Sequence, residues 1–231
     1  MEMIVLAESI RERPTAAAEP RQLPGRERGL RAAASPIASL LDEQLRPLVQ
    51  QLFFRPDAPP LRHAAFAAAD PGTDTAQLCL SVARILAEEG AHDIGLIDAS
   101  PGSRLLEARL GVSGGGSQTR RPLASRLWLA PRSNWLEDDD SQTITDKSLS
   151  RLRHLTSQFD FSVLYCASMS PLTTRLGRTC DGLVLVLTAH RTRRLVAAQI
   201  KEQLRRGGVP LLGTVLTERT FPVPQRLYRY L

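Results

Sequence analysis

The residues most capable of chemistry lie in the stretch Ala69-Asp70-Pro71-Gly72-Thr73-Asp74-Thr75-Ala76-Gln77, between the apolar run RHAAFAAA and the helix-like LCLSVARILAEEG. A strand handing over to a helix is where an α/β protein cradles phosphate, because backbone amides and the helix N-terminus converge there. Such a cradle needs open backbone geometry, a lysine to balance phosphate charge and a hydroxyl for Mg²⁺. ADPGTDTAQ has one glycine and no lysine. A further candidate is Asp98 in GLIDAS. A strand-end aspartate can manage a metal or a proton, or simply cap the following turn.

Other constellations are weaker. His63, His92, His154 and His190 are dispersed and share no metal-ligand spacing with Cys79, Cys166 and Cys180. Ser113-Gly114-Gly115-Gly116-Ser117 lacks a lysine and reads as a flexible loop, and Asp138, Asp139 and Asp140 read as a solvated acidic loop. No cofactor and no metal are implied.

The elements that must position these residues alternate. After an N-terminal region (1–36) rich in Pro, Ala, Arg and Glu, expected to be largely disordered with MIVLA as a short docking segment, Ser35 to Phe54 has helical periodicity broken near Pro47. From His63 onward, apolar strands AAFAAA, HDIGLIDA, RLWLA, FSVLYCA, LVLVLTA and LLGTVLTE alternate with helices over Thr75–Glu89, SRLLEARLG, Ile144–Ser157, Pro171–Arg178 and Arg191–Arg206. Continuous apolar strands between helices predict a three-layer α/β fold, a mostly parallel sheet flanked by helices, occupying residues 37–231.

Composition narrows the class. The chain of 231 residues can bury one substantial core, and its hydrophobic fraction of 42% suits a globular protein. The net charge of +6 is an arginine charge, from 28 arginines and 2 lysines against 24 acids. Arginine surfaces attract nucleic acid, anionic lipid or acidic protein patches alike. Unpaired cysteines and the lack of a basic-then-apolar leader favour a reduced, cytoplasmic protein, peripheral at the inner membrane only through a partner. No apolar run approaches the roughly 20 residues of a membrane span.

From about Glu43 to Leu231 the chain resembles the cytoplasmic tyrosine kinase domains of bacterial capsule and exopolysaccharide assembly, members of the deviant P-loop family that includes the MinD and ParA ATPases. The resemblance rests on DGLVLVLTAHRTRRLVAAQIKEQLRRGGVPLLGTVLTERTFPVPQRLYRYL, with its Pro-x-Pro-x-x-Leu-Tyr tail, and on EQLRPLVQQLFF, similar to the family's oligomerisation helix. It implies a P-loop NTPase-like fold of the MinD/ParA type. Pro71 and Gly72 match the family's loop. Asp74 stands where a glycine belongs, Thr75 where the phosphate-binding lysine belongs and Ala76 where the magnesium-binding hydroxyl belongs. Asp98 matches a retained family aspartate, whereas Tyr165 replaces the Walker B aspartate. Tyr228 matches the tail tyrosine that precedes the family's phosphorylated cluster, and only Tyr230 follows it.

The resemblance therefore implies a degenerate member: a noncatalytic pseudo-ATPase or pseudokinase serving as accessory scaffold in exopolysaccharide, including cellulose, synthesis or secretion. Its expected partners are protein components of a synthase or export complex, with a homo-oligomer also compatible. Interaction candidates are Glu43, Arg46 and Val49, the last standing where the family has a second arginine, and Arg191 and Arg194 on the basic helix. The plain alternative for the first helix is that Leu45, Leu48, Val49 and Leu52 pack it onto its own domain. Two other functions remain open: a weak or noncanonical nucleotide-dependent enzyme using Asp98, and a ParA-like nonspecific nucleic-acid-binding protein. The latter is disfavoured, since no helix-turn-helix or zinc finger supports base recognition.

Overall fold

The computed structural model describes residues 3–7, 36–56, 61–100, 105–111, 120–136 and 144–219. The glycine-rich stretch 113–117, the acidic run 138–140 and the tail 221–231 lie outside the described residues, as does most of the region expected to be disordered.

The chain runs β1 (Met3–Ala7), α1 (Pro36–Phe53), β2 (His63–Ala68), α2 (Thr75–Glu88), β3 (Ile94–Asp98), α3 (Leu105–Arg109), β4 (Arg121–Ala124), β5 (Leu127–Ala130), a 3-10 turn (Arg132–Asn134), α4 (Asp146–Thr156), β6 (Phe161–Ser168), α5 (Pro171–Gly177), β7 (Gly182–Thr188), α6 (Arg194–Arg206) and β8 (Leu211–Arg219). The strands form one eight-stranded sheet in the order β1-β8-β7-β2-β6-β3-β5-β4. All neighbours are parallel except the β4–β5 pair. This is the expected three-layer α/β architecture.

Period-two alternation assigns each strand residue to a face. Ala64 and Phe66 of β2 join the core built by α1 and α2, while Ala65 and Ala67 join the core built by α4, α5 and α6. Four alanines in the central strand let helices on both sides sit close to the sheet. Gly182 at the start of β7 lets β8 approach closely, because a Cβ there would lie 2.6 Å from the Pro210 carbonyl oxygen. Among the described residues no helix is long and apolar enough to cross a membrane.

Three local expectations change. Pro47 does not break α1, which runs unbroken from Pro36 to Phe53. The carbonyl that the proline leaves without a donor belongs to Glu43, which is exposed, and buried Leu45, Leu48, Val49, Leu52 and Phe53 hold the helix on both sides of the proline. The segment MIVLA is strand β1, paired in parallel with β8. Residues 121–124, which no strand was predicted to cover, form the antiparallel edge strand β4, whose short RPLA sequence carries almost no strand signal.

Candidate functional site

The central strand β2 ends at the sheet position where the chain's later crossovers diverge, β3 to one side and β7 to the other. In parallel sheets such a switch point opens a crevice at the carboxyl ends of the strands. Here the loop after β2 is stitched to the loop after β7. Ala69 donates its N–H to the Val186 carbonyl at 2.8 Å, and the hydroxyls of Thr73 and Thr188, both buried, share a hydrogen bond of 2.7 Å. The Thr192 hydroxyl donates to the Asp70 carboxylate and accepts from the Thr188 N–H at 2.9 Å. Gly72 takes φ +96°, a conformation that favours glycine, and the Arg191 guanidinium lies 3.7 Å from where its Cβ would be.

Asp74 is the N-cap residue of α2, yet its side chain caps nothing. A side-chain cap on this helix from Asp74 is therefore absent. The Asp74 carboxylate instead meets Arg109 of α3 at 2.6 Å, with both side chains about half exposed. An ion pair competes better for a carboxylate than one exposed amide does. Thr75, where the resemblance places a lysine, is 1% exposed, and its Oγ1 has no hydrogen-bond partner. Ala76 is buried against the core of the α1 and α2 face. Pro71 is exposed at the loop tip.

Asp98 and Tyr165 come together as expected of neighbouring strand ends. They are register partners in β3 and β6, and the Ala99 N–H donates to the Tyr165 carbonyl at 2.9 Å. Asp98 is 1% exposed, and burial pushes its carboxyl above the usual carboxylate range. Hydrogen bonds from Ser100 and the Leu106 amide, with the charge of Arg132, oppose that rise. Its Oδ1 accepts from the Ser100 N–H at 3.0 Å and the Ser100 hydroxyl at 2.6 Å, so its carboxylate braces the turn that follows β3. Tyr165 is a core ring whose hydroxyl is pushed up to about 12, chiefly by burial and then by the nearby Asp98. A group so shifted stays a neutral phenol at pH 7.

Sequence reasoning missed the residues that complete this edge. Buried Arg132 donates to the Ser100 carbonyl at 2.9 Å, and the Trp135 indole donates to the Asp98 carbonyl at 2.9 Å. Nothing in PRSNW announces either contact, which depends on β5 ending beside β3. Arg109, Thr188 and Thr192 were equally silent. Among the described residues no group of three His, Cys, Asp or Glu side chains is placed to hold a metal ion. The carboxylates of Asp70, Asp74 and Asp98 each already serve a hydrogen bond or an ion pair.

The interaction candidates separate sharply. Val49 is fully buried in the core, which corrects its assignment to an interface. Arg46 is exposed but turned inward to α2, 2.6 Å from Glu88 and 3.7 Å from Glu89, while Gln50 also hydrogen-bonds Glu89. Glu43 is exposed. Arg191 is not on the basic helix. It lies in the turn after β7, and α6 begins at Arg194, whose side is exposed. The positive φ of His190 ends the strand and delays the helix by about one turn relative to the periodicity.

The sequence matches no family model and no curated protein. Solved structures do match the fold. The VpsO kinase domain superposes with a TM-score of 0.63 at 16% identity, covering 79% of this chain and 96% of that one. The kinase domain of the Escherichia coli tyrosine kinase ETK gives 0.58 at 13% identity, with 86% of each chain covered. A plasmid partition protein from Borrelia burgdorferi gives 0.53 at 16% identity, over 74% of this chain and 85% of that one. At such identities the likeness is one of architecture: the chain has the P-loop NTPase-type α/β fold that bacterial tyrosine kinase domains and partition proteins share.

Proposed function

We propose that this chain is a nonhydrolytic, P-loop-like scaffold that acts through protein contacts as an accessory or regulatory component of bacterial exopolysaccharide synthesis or secretion. The observation that carries the reading is the β2–α2 loop. Where a phosphate cradle presents a lysine and a hydroxyl, this loop presents an ion-paired aspartate, a buried threonine and a buried alanine. An Asp74 carboxylate in that loop repels phosphate, and the Arg109 guanidinium beside it is already engaged. Tyr165, at the position of a metal-binding carboxylate, is a neutral buried ring. The polysaccharide setting comes from the resemblance of EQLRPLVQQLFF and the C-terminal segment to capsule kinase domains, in keeping with the fold shared with the VpsO and ETK kinase domains.

In this reading the preserved architecture presents surfaces, and Glu43 with the outer part of α1 offers one of them. Calorimetric titration with ATP and ADP, with and without Mg²⁺, tests the central claim. No heat at millimolar nucleotide is expected, against a clear isotherm from an active P-loop kinase. Stoichiometric, magnesium-sensitive binding would overturn it and make Asp98 the first residue to substitute.

A further inference from the structure

The start of α6 carries an arrangement that neither the loop nor the scaffold reading uses. Arg191, Arg193 and Arg194 fall within four positions, all are exposed, and none pairs with a carboxylate among the described residues. Beside them stands Leu195, 69% exposed and the one large hydrophobic side chain so exposed among the described residues. The first turn of α6 contains no acidic residue and its N-cap, Arg193, makes no side-chain cap bond. Helix dipoles favour anions at this end and disfavour cations. Arginines collected there meet no counter-charge among the described residues, and all three are exposed.

The rest of the helix extends the same face. At 100° per residue, Leu195 and Glu202 line up at its centre, with Arg194 and Arg205 on one flank and Arg206 on the other, opposite the inward Ile200 and Leu204. Glu202 is held by both Arg205 at 2.7 Å and Arg206 at 2.8 Å, and these contacts draw its carboxyl down to about 2. One acid thus offsets only part of the charge along a helix about 20 Å long.

We propose that this face of α6 docks on an anionic lipid surface, with Leu195 entering the headgroup boundary and the arginines meeting lipid phosphates. The face is convex and its apolar side chain sits at the centre of its charges. An acidic peptide would need a groove to hold it, and a nucleic-acid backbone would leave Leu195 without a role. A fluid bilayer accommodates both the convexity and the leucine, since arginines reach around a shallow apolar insertion to the headgroups. The proposal holds whether or not the β2–α2 loop takes nucleotide.

Co-sedimentation of the full chain with vesicles tests it, using equal parts phosphatidylglycerol and phosphatidylcholine against pure phosphatidylcholine. Binding is expected to the anionic vesicles alone, falling steeply as salt is raised. The double variant Arg193→Glu/Arg194→Glu should weaken it by about tenfold or more, and Leu195→Ala by about threefold with the salt dependence kept. All three positions are exposed, so unchanged circular-dichroism melts verify that the variants fold. Failure to bind anionic vesicles at low salt, wild-type binding by the double variant, or tighter binding to duplex DNA with Leu195→Ala silent would each overturn the proposal.

Discussion

Helices α1 and α6 pack on opposite faces of one sheet, each an amphipathic run with leucines; α1 carries one outward arginine, Arg46, and α6 several. Their environments differ. In α1 the apolar row Leu45, Leu48, Val49 and Leu52 is buried, and the outward Arg46 folds back onto Glu88 and Glu89 of α2. In α6 only Ile200 and Leu204 are buried, Leu195 is exposed, and the first arginines meet no carboxylate among the described residues. The difference teaches that an outward arginine becomes an available charge only when its neighbours supply no counter-charge. The periodicity of the helix itself does not decide this.

The sharpest way to break the comparison is to truncate one leucine in each helix. Leu48→Ala should cost about 2–5 kcal/mol in urea unfolding, because it opens a cavity in a close-packed core. Leu195→Ala should change stability by less than about 0.5 kcal/mol. Equal losses would mean that α6 is as much a core element as α1.

A second, smaller effect concerns how α6 is launched. Thr73→Val leaves the Thr188 hydroxyl buried without its partner, at a cost of about 1–3 kcal/mol. The double variant Thr73→Val/Thr188→Val should recover part of that loss, since no buried hydroxyl is then stranded. If the double variant is as unstable as the sum of the singles, the two loops are not stitched at this point.

Near neutral pH a response is expected at the opposite end of the sheet. His63 lies at the start of β2, its Nδ1 2.9 Å from the Ser162 hydroxyl, and burial lowers its pKa below the ordinary 6.5 against the opposing charge of Asp181. The unfolded chain therefore binds the proton more readily, and stability contributed by neutral His63 is complete above 6.5 and lost as the pH falls below it. His63→Gln should flatten the urea midpoint over that range. An unchanged slope would assign the acid-side loss to another group.

A small change is also expected from Arg46→Ala. Its pair with Glu88 is exposed on both sides, so removal should cost no more than about 1 kcal/mol and should fade with salt. A larger, salt-resistant loss would show that α1 is held by this contact as well as by its apolar row.

Much of the architecture was legible because its cause is local. Alternating apolar strands and periodic helices announced a parallel sheet between helical layers, and the runs LVLVLT and FSVLYC became central strands β7 and β6. The chemical substitutions in ADPGTDTAQ, and the tyrosine at 165, could be read directly because residue type alone determines what a side chain can ligate. Elements lacking a local signal were missed: β4, with its RPLA sequence, exists only because β5 offers it an edge, and α1 crosses Pro47 because core contacts on both sides outweigh one lost hydrogen bond.

The sequence by itself determined which groups were present at the loop: no lysine, one glycine, two aspartates and two threonines. Only the tertiary structure decided their engagements. Arg109 reaches Asp74 across 35 positions, Thr188 reaches Thr73 across 115, and Glu88 reaches Arg46 across 42, while the arginines opening α6 are left facing solvent. Residue type sets the charge and hydrogen-bonding capacity of a side chain. Which partner satisfies it depends on distances between strand ends that are brought together by the packing of the whole sheet.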